Sequence, residues 1–281
     1  MSLAELAAEH GLKRVGARPP FWRYVADAWH RRDFVVALAM YRLRAGLEGN
    51  RLGVLWLVLQ PTLNALIYGT IFYVIQRGTD PIQFAAHVVI GVFLFQFFQR
   101  SMTQGAKSIT GNQSLVQSLA FPRITLPIAE VVEEFLSLMP SIAVLFVILP
   151  FLGHWPAVEW LLIIPLLALF TLFNTGIALF TARLTVHVRD LTQLLPFLAR
   201  ILFYTSGVLF DVNKIFEQHP SIIEFYDFVP IYQVLQMARD ALLGGHDYNP
   251  LYWLYFSIWS VGAFVIGLLF FWVAEERYGR D

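Results

Sequence analysis

The sequence predicts an all-α integral membrane protein, and three observations carry that prediction. Six apolar stretches, each long enough to cross a bilayer, sit in only 281 residues. The composition is 57% hydrophobic and 14% charged, where a soluble domain carries about 25% charged residues. A water-soluble globule has nowhere to hide that much apolar surface. The Lys and Arg residues are also unevenly spread: nine of the 20 lie before Leu52, although the net charge is zero.

The elements follow in order. Residues 1–51 read as a cytoplasmic segment. Positive charges run from Arg14 through Arg44 without an apolar core or a small-residue cleavage site, so a cleavable signal peptide is not expected. Within it, residues 21–47 read as one amphipathic helix. Phe34, Leu38, Tyr41 and Ala45 recur at helical spacing, Arg31, Arg32, Arg42 and Arg44 are suited to headgroups, and Trp22 and Trp29 to the interface. A span needs about 20 apolar residues, which places six spans near 52–75, 84–106, 127–150, 157–182, 190–210 and 251–273, a bundle over 52–273. A short turn, Gly153-His154-Trp155-Pro156, joins the third to the fourth. Residues 107–126 form a cytoplasmic loop. Residues 211–245 are too apolar for a solvated linker and too interrupted for a span, so they predict two short re-entrant helices split by Pro230 and ended by Gly244-Gly245. Residues 274–281 are a tail.

Orientation follows from the basic residues. With both termini inside, the cytoplasmic segments hold sixteen Lys and Arg residues, and the outer loops only Arg77, Lys214 and Arg239. An even number of spans with both ends cytoplasmic is the expected topology.

Several chemistries lack their residues. With no Cys there is no disulfide, thiol nucleophile or Cys-based metal site. Gly105-Ala106-Lys107-Ser108 lacks the adjacent Gly-Lys and upstream glycine of a P-loop. The seven His residues show no zinc-protease spacing, and no G-x-S-x-G elbow occurs. No metal site and no nucleic-acid partner are expected.

The loop between the second and third spans is the most specific local signal. It reads Gly111-Asn112-Gln113-Ser114-Leu115-Val116-Gln117-Ser118-Leu119-Ala120-Phe121-Pro122-Arg123, followed by Pro127. A short helix capped by the Asn112 side-chain oxygen would stop before Phe121-Pro122. This segment resembles the coupling segment of type-2 ABC exporters of polysaccharides and polyol-phosphate polymers. The resemblance covers nearly the whole chain. Leu52-Gly53-Val54-Leu55-Trp56 with Gln60-Pro61 resembles the family's first-span signature. Val188-Arg189-Asp190 resembles its Arg-Asp element, and Pro230 with Gln236, Arg239 and Leu242-Leu243 the stretch before its sixth span. Two positions depart: Val229 stands where an Asn usually precedes that proline, and Leu47-Glu48-Gly49 where an Arg-Tyr-basic element is usual.

The resemblance implies a half-transporter in the bacterial cytoplasmic membrane that forms a homodimer and binds two copies of a separate ABC ATPase. ATP and Mg would be bound by that partner, with no cofactor in this chain. Asn112, Leu115, Leu119, Phe121, Pro122, Arg123, Arg189 and Asp190 are the implied ATPase-coupling residues. The implied substrate is a lipid-linked cell-envelope polysaccharide of O-antigen, capsule, teichoic acid or galactan type. The excess of Arg over Lys, 17 to 3, points to a GC-rich genome and so towards galactan. A type-2 exporter of a drug or small lipid is the alternative, and a polytopic enzyme on lipid-linked substrates a further one.

Two further constellations are expected to matter. Glu130 and Glu134 share a helix face in the third span and, with Arg200 in the fifth, form a buried-charge set. Pairing of the carboxylates with Arg200 or Arg123 is expected, a catalytic carboxylate pair being the competing reading. Sugar rings present C–H faces that stack on aromatic side chains. Phe95, Phe98, Phe203, Tyr204, Tyr252, Tyr255 and Trp259 are therefore candidates to line a substrate channel.

Overall fold

The computed structural model describes residues 19–48, 51–75, 80–118, 121–244 and 249–275, which form twelve α-helices and two 3-10 turns, with no strand among them. Leu119, Arg77, Gly245, residues 1–18 and the tail from residue 276 lie outside the described residues.

The amphipathic segment is two helices, α1 (Phe21–His30) and α2 (Arg32–Leu47), broken at Arg31. The inward face of α2 carries Val35 and Ala39, flanked by half-buried Phe34, Leu38 and Arg42, while Tyr41 and Ala45 are exposed. The face is rotated from the expected one because Arg42 turns inward to an acidic partner rather than outward to headgroups.

Helix α3 (Leu55–Ile75) contains Pro61, which has no N–H to give the Leu57 carbonyl four residues back. Ser141 of a neighbouring helix donates to that carbonyl instead, at 3.1 Å. Helix α4 (Pro81–Lys107) starts where Asp80 Oδ1 accepts from the Ile82 amide at 2.9 Å and Pro81 fills the first position. It is the central helix, packed against α3, α6, α7, α8 and α11. Helix α5 (Gln113–Ser118) follows a 3-10 turn at Thr110–Asn112; then come α6 (Thr125–Phe151), a 3-10 turn at Val158–Leu162, and α7 (Ile163–His187). After α8 (Leu191–Thr205), the short helices α9 (Val212–Ile215), α10 (Pro220–Asp227) and α11 (Pro230–Leu243) precede α12 (Tyr252–Val273).

Helices α7 and α12 form the tightest seam. A Cβ built at Gly176 would lie 2.3 Å from the Ala263 carbonyl carbon, and one at Gly267 would lie 2.3 Å from the Gly176 carbonyl oxygen. Small residues permit this backbone approach, which in lipid replaces the hydrophobic drive available in water. Gly105 meets the Ala178 Cβ in the same way, at 2.5 Å, locking α4 to α7.

Five helical runs, Leu55–Val74, Pro81–Lys107, Thr125–Phe151, Val158–His187 and Tyr252–Val273, are long and apolar enough to cross a membrane. The expected span at 190–210 is helical only over the 15 residues of α8. At about 1.5 Å per residue it rises about 22 Å, short of a hydrocarbon core about 30 Å thick. The helix stops at Thr205, and Gly207 two residues on has φ +71°. The chain then continues without helical hydrogen bonds, and the buried Arg239 of α11 takes up the freed carbonyls: its Nη2 lies 3.0 Å from the Gly207 oxygen, 3.1 Å from that of Val208 and 3.3 Å from that of His87. His87 stands about 30 Å along α4 from Lys107 by helical rise. The expected fifth span is thus α8 followed by the non-helical residues 206–208.

The two short helices predicted in 211–245 are α10 and α11, with α9 ahead of them, and α11 begins at Pro230 as expected. Residues Ile231 to Arg239 of α11 are all buried. Its last carbonyls are satisfied from the α6–α7 turn: His154 Nδ1 lies 2.9 Å from the Leu243 oxygen, and Trp160 Nε1 donates to Leu242 at 3.1 Å.

Candidate functional site

The C-terminal ends of α4, α7 and α12 and the N-terminal end of α6 meet at one end of the bundle, its base. This end has its own small apolar core, separate from the main one. Tyr24, Ile109, Val116, Ile124, Leu126, Leu179, Ala182, Leu268, Phe271 and Ala274 are buried there, with Phe21, Leu115 and Phe121 packed against them. The described parts of segment 110–123, residues 110–118 and 121–123, are therefore packed onto this layer through Leu115, Val116 and Phe121.

Polar contacts hold the segment at both ends. At its start, Asn112 does not act as the expected oxygen cap. Its Nδ2 donates to the Ser108 carbonyl at 2.7 Å, and its Oδ1 accepts from Arg42 Nη2 at 3.1 Å. The other nitrogen of the same guanidinium pairs with Glu130. At its end, the Arg123 amide donates to Glu275 Oε1 at 3.2 Å, and Arg123 Nη1 to the Glu275 carbonyl at 2.5 Å. Tyr24 of α1 donates to Glu275 Oε2 at 2.7 Å, and Trp272 Nε1 to the Pro19 carbonyl at 3.0 Å. Glu275 lies past the last helical span. Burial pushes its carboxyl above the usual range, and the bonds from Tyr24 and Arg123 pull it back part of the way. Phe121 meets the Phe34 ring at 5.7 Å.

Among the described residues of the segment, Gly111, Gln113 and Ser114 are exposed. Leu115 is half-buried and Val116 fully buried towards the chain's own base core. Phe121, Pro122 and Arg123 are half-buried, and Arg189 and Asp190 are exposed at the α7–α8 turn on the same base. Arg183, six residues earlier, caps the Phe270 carbonyl of α12 with its guanidinium 3.7 Å over the Phe270 ring.

The charges of α6 pair differently from the expectation. Glu130 takes Arg42, and Glu134 lies 3.8 Å from Arg100, whose Nη2 also donates to Gln60 at 2.9 Å. Arg123 is committed to Glu275. Arg200 is exposed rather than buried: the packed face of α8 is Leu195, Ala199 and Phe203, and Arg200 projects from another side. Around Arg100 and Glu134, with Ser137 and Ser141, a cavity of about 20 Å³ remains between α3, α4 and α6, room for about one water. Both carboxylates of the supposed catalytic pair thus serve ion pairs. Among the described residues no cluster fit for a metal ion occurs.

The seven aromatic channel candidates divide between the interior and the surface of the chain. Phe95, Phe98, Phe203 and Tyr252 are buried. Phe95 packs on Phe98 at 5.7 Å and on Phe203 at 5.2 Å, and Tyr252 bonds to Asp227. The physical reason is the central position of α4, which turns its rings into interhelical filling. Tyr255 is half-buried against Phe228, while Tyr204 and Trp259 remain exposed, Trp259 Nε1 donating to the Phe228 carbonyl at 3.1 Å.

Arg42, Tyr24, Glu275, Arg100 and Gln60 were not among the candidates from sequence. Arg100 and Gln60 carried a signal, being polar groups inside apolar runs. Tyr24 and Glu275 carried none, since 251 residues separate them.

The family model described as "ABC-2 type transporter" matches residues 35–243, from α2 to the end of α11. An O-antigen export system permease protein RfbA of Klebsiella pneumoniae is 28% identical over 250 residues, 88% of this chain and 94% of that protein. The protein of the same name from Myxococcus xanthus is 28% identical over 195 residues, 69% of this chain and 74% of its own length. The polysialic acid transport protein KpsM of Escherichia coli is 24% identical over 244 residues, covering 86% and 93%.

Proposed function

The chain belongs to the ABC-2 type transporter family, and on that premise we propose that it is the membrane subunit of an ATP-driven exporter of a lipid-linked cell-envelope polysaccharide. The observation that carries the reading is the match to O-antigen export permeases along 94% of their length, joined to the packed base layer that the resemblance marks for ATPase coupling.

In this reading ATP and Mg are bound by a separate ATPase, two copies of which engage two copies of this chain from the cytoplasmic side. The outward surface of Gly111, Gln113 and Ser114, with Arg189 and Asp190 beside it, is the docking face. A polysaccharide is dense in hydroxyls, and each one left without a hydrogen bond in hydrocarbon costs on the order of 4–8 kcal/mol. Crossing therefore requires a continuous polar path and an outside energy source. Arg200 favours the second copy. It stands on the exposed face of α8 beside Phe197 and Ile201, and a cation facing acyl chains is costly. A path between two copies gives it water or a partner, and brings Tyr204 to the same surface.

The test is co-expression with the ATPase of the same operon and export of a lipid-linked O-polysaccharide in proteoliposomes. Replacing Phe121, Pro122 and Arg123 together is expected to leave the chain inserted while the ATPase no longer co-purifies or drives export. Export that survives with normal ATPase binding refutes the assignment. Hydrolysis stimulated by amphiphilic drugs and not by the glycan lipid refutes the polysaccharide reading in favour of a drug or small-lipid exporter.

A further inference from the structure

Segment 110–123 is gripped at its two ends by elements that belong to opposite ends of the chain. Arg42 of α2 holds Asn112 at 3.1 Å and with the same guanidinium pairs Glu130 of α6. Glu275, just past α12 and 7% exposed, receives the Arg123 amide at 3.2 Å and the Tyr24 hydroxyl of α1 at 2.7 Å. Between the two grips, Phe34 of α2 lies against Phe121 at 5.7 Å, and Val116 with Leu115 is packed into a core shared with Tyr24, Leu179, Leu268 and Phe271.

A displacement of the segment by more than about 1 Å breaks hydrogen bonds of this length unless α1, α2 and the end of α12 move with it. Close-packed apolar layers transmit rather than absorb such shifts.

We propose that Arg42, Tyr24 and Glu275 are positioning residues that make α1, α2, segment 110–123 and the foot of α12 one mechanical unit, so that ATPase closure moves the interface helices and the last span together with the segment. The proposal rests on the exporter reading and names the residues that carry its stroke. Movement leaves the segment by two routes: through Arg42 and Glu130 into α6, and through Arg123 and Glu275 into α12. The second continues along the Gly176–Gly267 seam into α7, whose backbone has no slack there. None of the three residues needs to touch substrate or nucleotide.

The test uses the full complex with its ATPase. The first readout is lipid-linked O-polysaccharide exported per ATP hydrolysed in proteoliposomes, for wild type, Tyr24→Phe, Arg42→Met and Glu275→Gln. Tyr24→Phe removes a single oxygen and keeps the packing. The expected result is a fall in this ratio of about fivefold, what one hydrogen bond of about 1 kcal/mol is worth, with the ATPase still co-purifying. The second readout exploits the absence of Cys: spin labels at Trp29→Cys on α1 and Val273→Cys at the foot of α12, both exposed and both away from the docking face. Their separation is expected to hold on ATP binding in the otherwise unaltered chain and to change when Tyr24→Phe and Arg42→Met are added. An unchanged export ratio, or a label separation that already shifts without those substitutions, overturns the unit while leaving the exporter reading intact. Failure of the unaltered complex to bind ATPase or export overturns the exporter reading, and the inference with it.

Discussion

Gly262 and Gly267 stand five residues apart on α12, and the same substitution is expected to act on them in opposite directions. A Cβ at Gly262 meets nothing within 4 Å, whereas one at Gly267 falls 2.3 Å from the Gly176 carbonyl oxygen and 3.1 Å from the Gly176 Cα. An ordinary carbon–oxygen contact is more than 1 Å longer than 2.3 Å, and the obstacle is backbone, so no rotamer relieves it. The α7–α12 seam must open. Overpacking of this kind costs about 1–3 kcal/mol, and separating two helices along several turns adds lost dispersion contacts. Gly262→Ala is the control: at a helical position with free space, Ala gains about 0.5–1 kcal/mol over Gly. The assay is thermal unfolding in detergent followed by monodispersity on size exclusion. At roughly 2–4 °C per kcal/mol for a chain of this size, Gly267→Ala should melt several degrees below wild type, and Gly262→Ala at or slightly above it. Gly176→Ala should resemble Gly267→Ala, and adding Ala263→Gly should not rescue it, because the clash at Ala263 is with backbone atoms. Equal melting of the Gly262 and Gly267 variants would refute the close seam.

Further outcomes follow from single contacts. Ser141→Ala should cost about 1 kcal/mol in the native sequence and much less in a Pro61→Ala background, where residue 61 regains the N–H that reaches Leu57; additive effects in this double-mutant cycle would contradict the exchange of donors. Arg239→Met should destabilise by about 3 kcal/mol or more through orphaned carbonyls, and limited proteolysis should show residues 206–211 opened; cleavage no different from wild type would count against it. Glu275 has a native carboxyl raised above the ordinary value of 4.5, so its unfolded form ionises first. Its contribution to stability is fullest below that value and is lost as pH rises towards the native one. The melting difference between wild type and Glu275→Gln should shift across that interval and be flat above it; a difference independent of pH would show that the carboxyl is not perturbed.

Much of the fold was readable because it is written locally. Asp80-Pro81 starts α4, and Pro230 starts α11, both by rules that act within a turn. Span length follows from hydropathy, so five of the six expected spans coincide with a long apolar helix to within about five residues at either end. The fifth was overextended because Val208, Leu209 and Phe210 keep the apolar character of a span while Gly207 breaks its geometry. Faces were less readable than elements. Helix α2 has apolar residues all round, so periodicity alone could not show that Val35 and Ala39 turn inward; the partner of Arg42 decides that. The aromatic candidates divide between interior and surface for a related reason. Hydropathy places Phe95 and Phe98 in a span and says nothing about whether that span is central or peripheral. Asn112, Arg123 and Asp190 came from a pattern of residues, which located a place on the base, while their partners Arg42 and Glu275 are distant in sequence and carry no motif.

The fifth crossing carries a consequence for how this molecule can vary. Where a helix is continuous, each carbonyl is served by an amide four positions away, and the instructions for a segment sit inside it. After Thr205 that arrangement lapses, and the carbonyls of Gly207 and Val208 are served by one guanidinium 32 and 31 residues downstream. The shape of the break is thus stored in two places: Gly207 makes the turn, and one remote guanidinium holds the carbonyls that the turn leaves open, so that a change at Arg239 reaches a stretch more than 30 residues away.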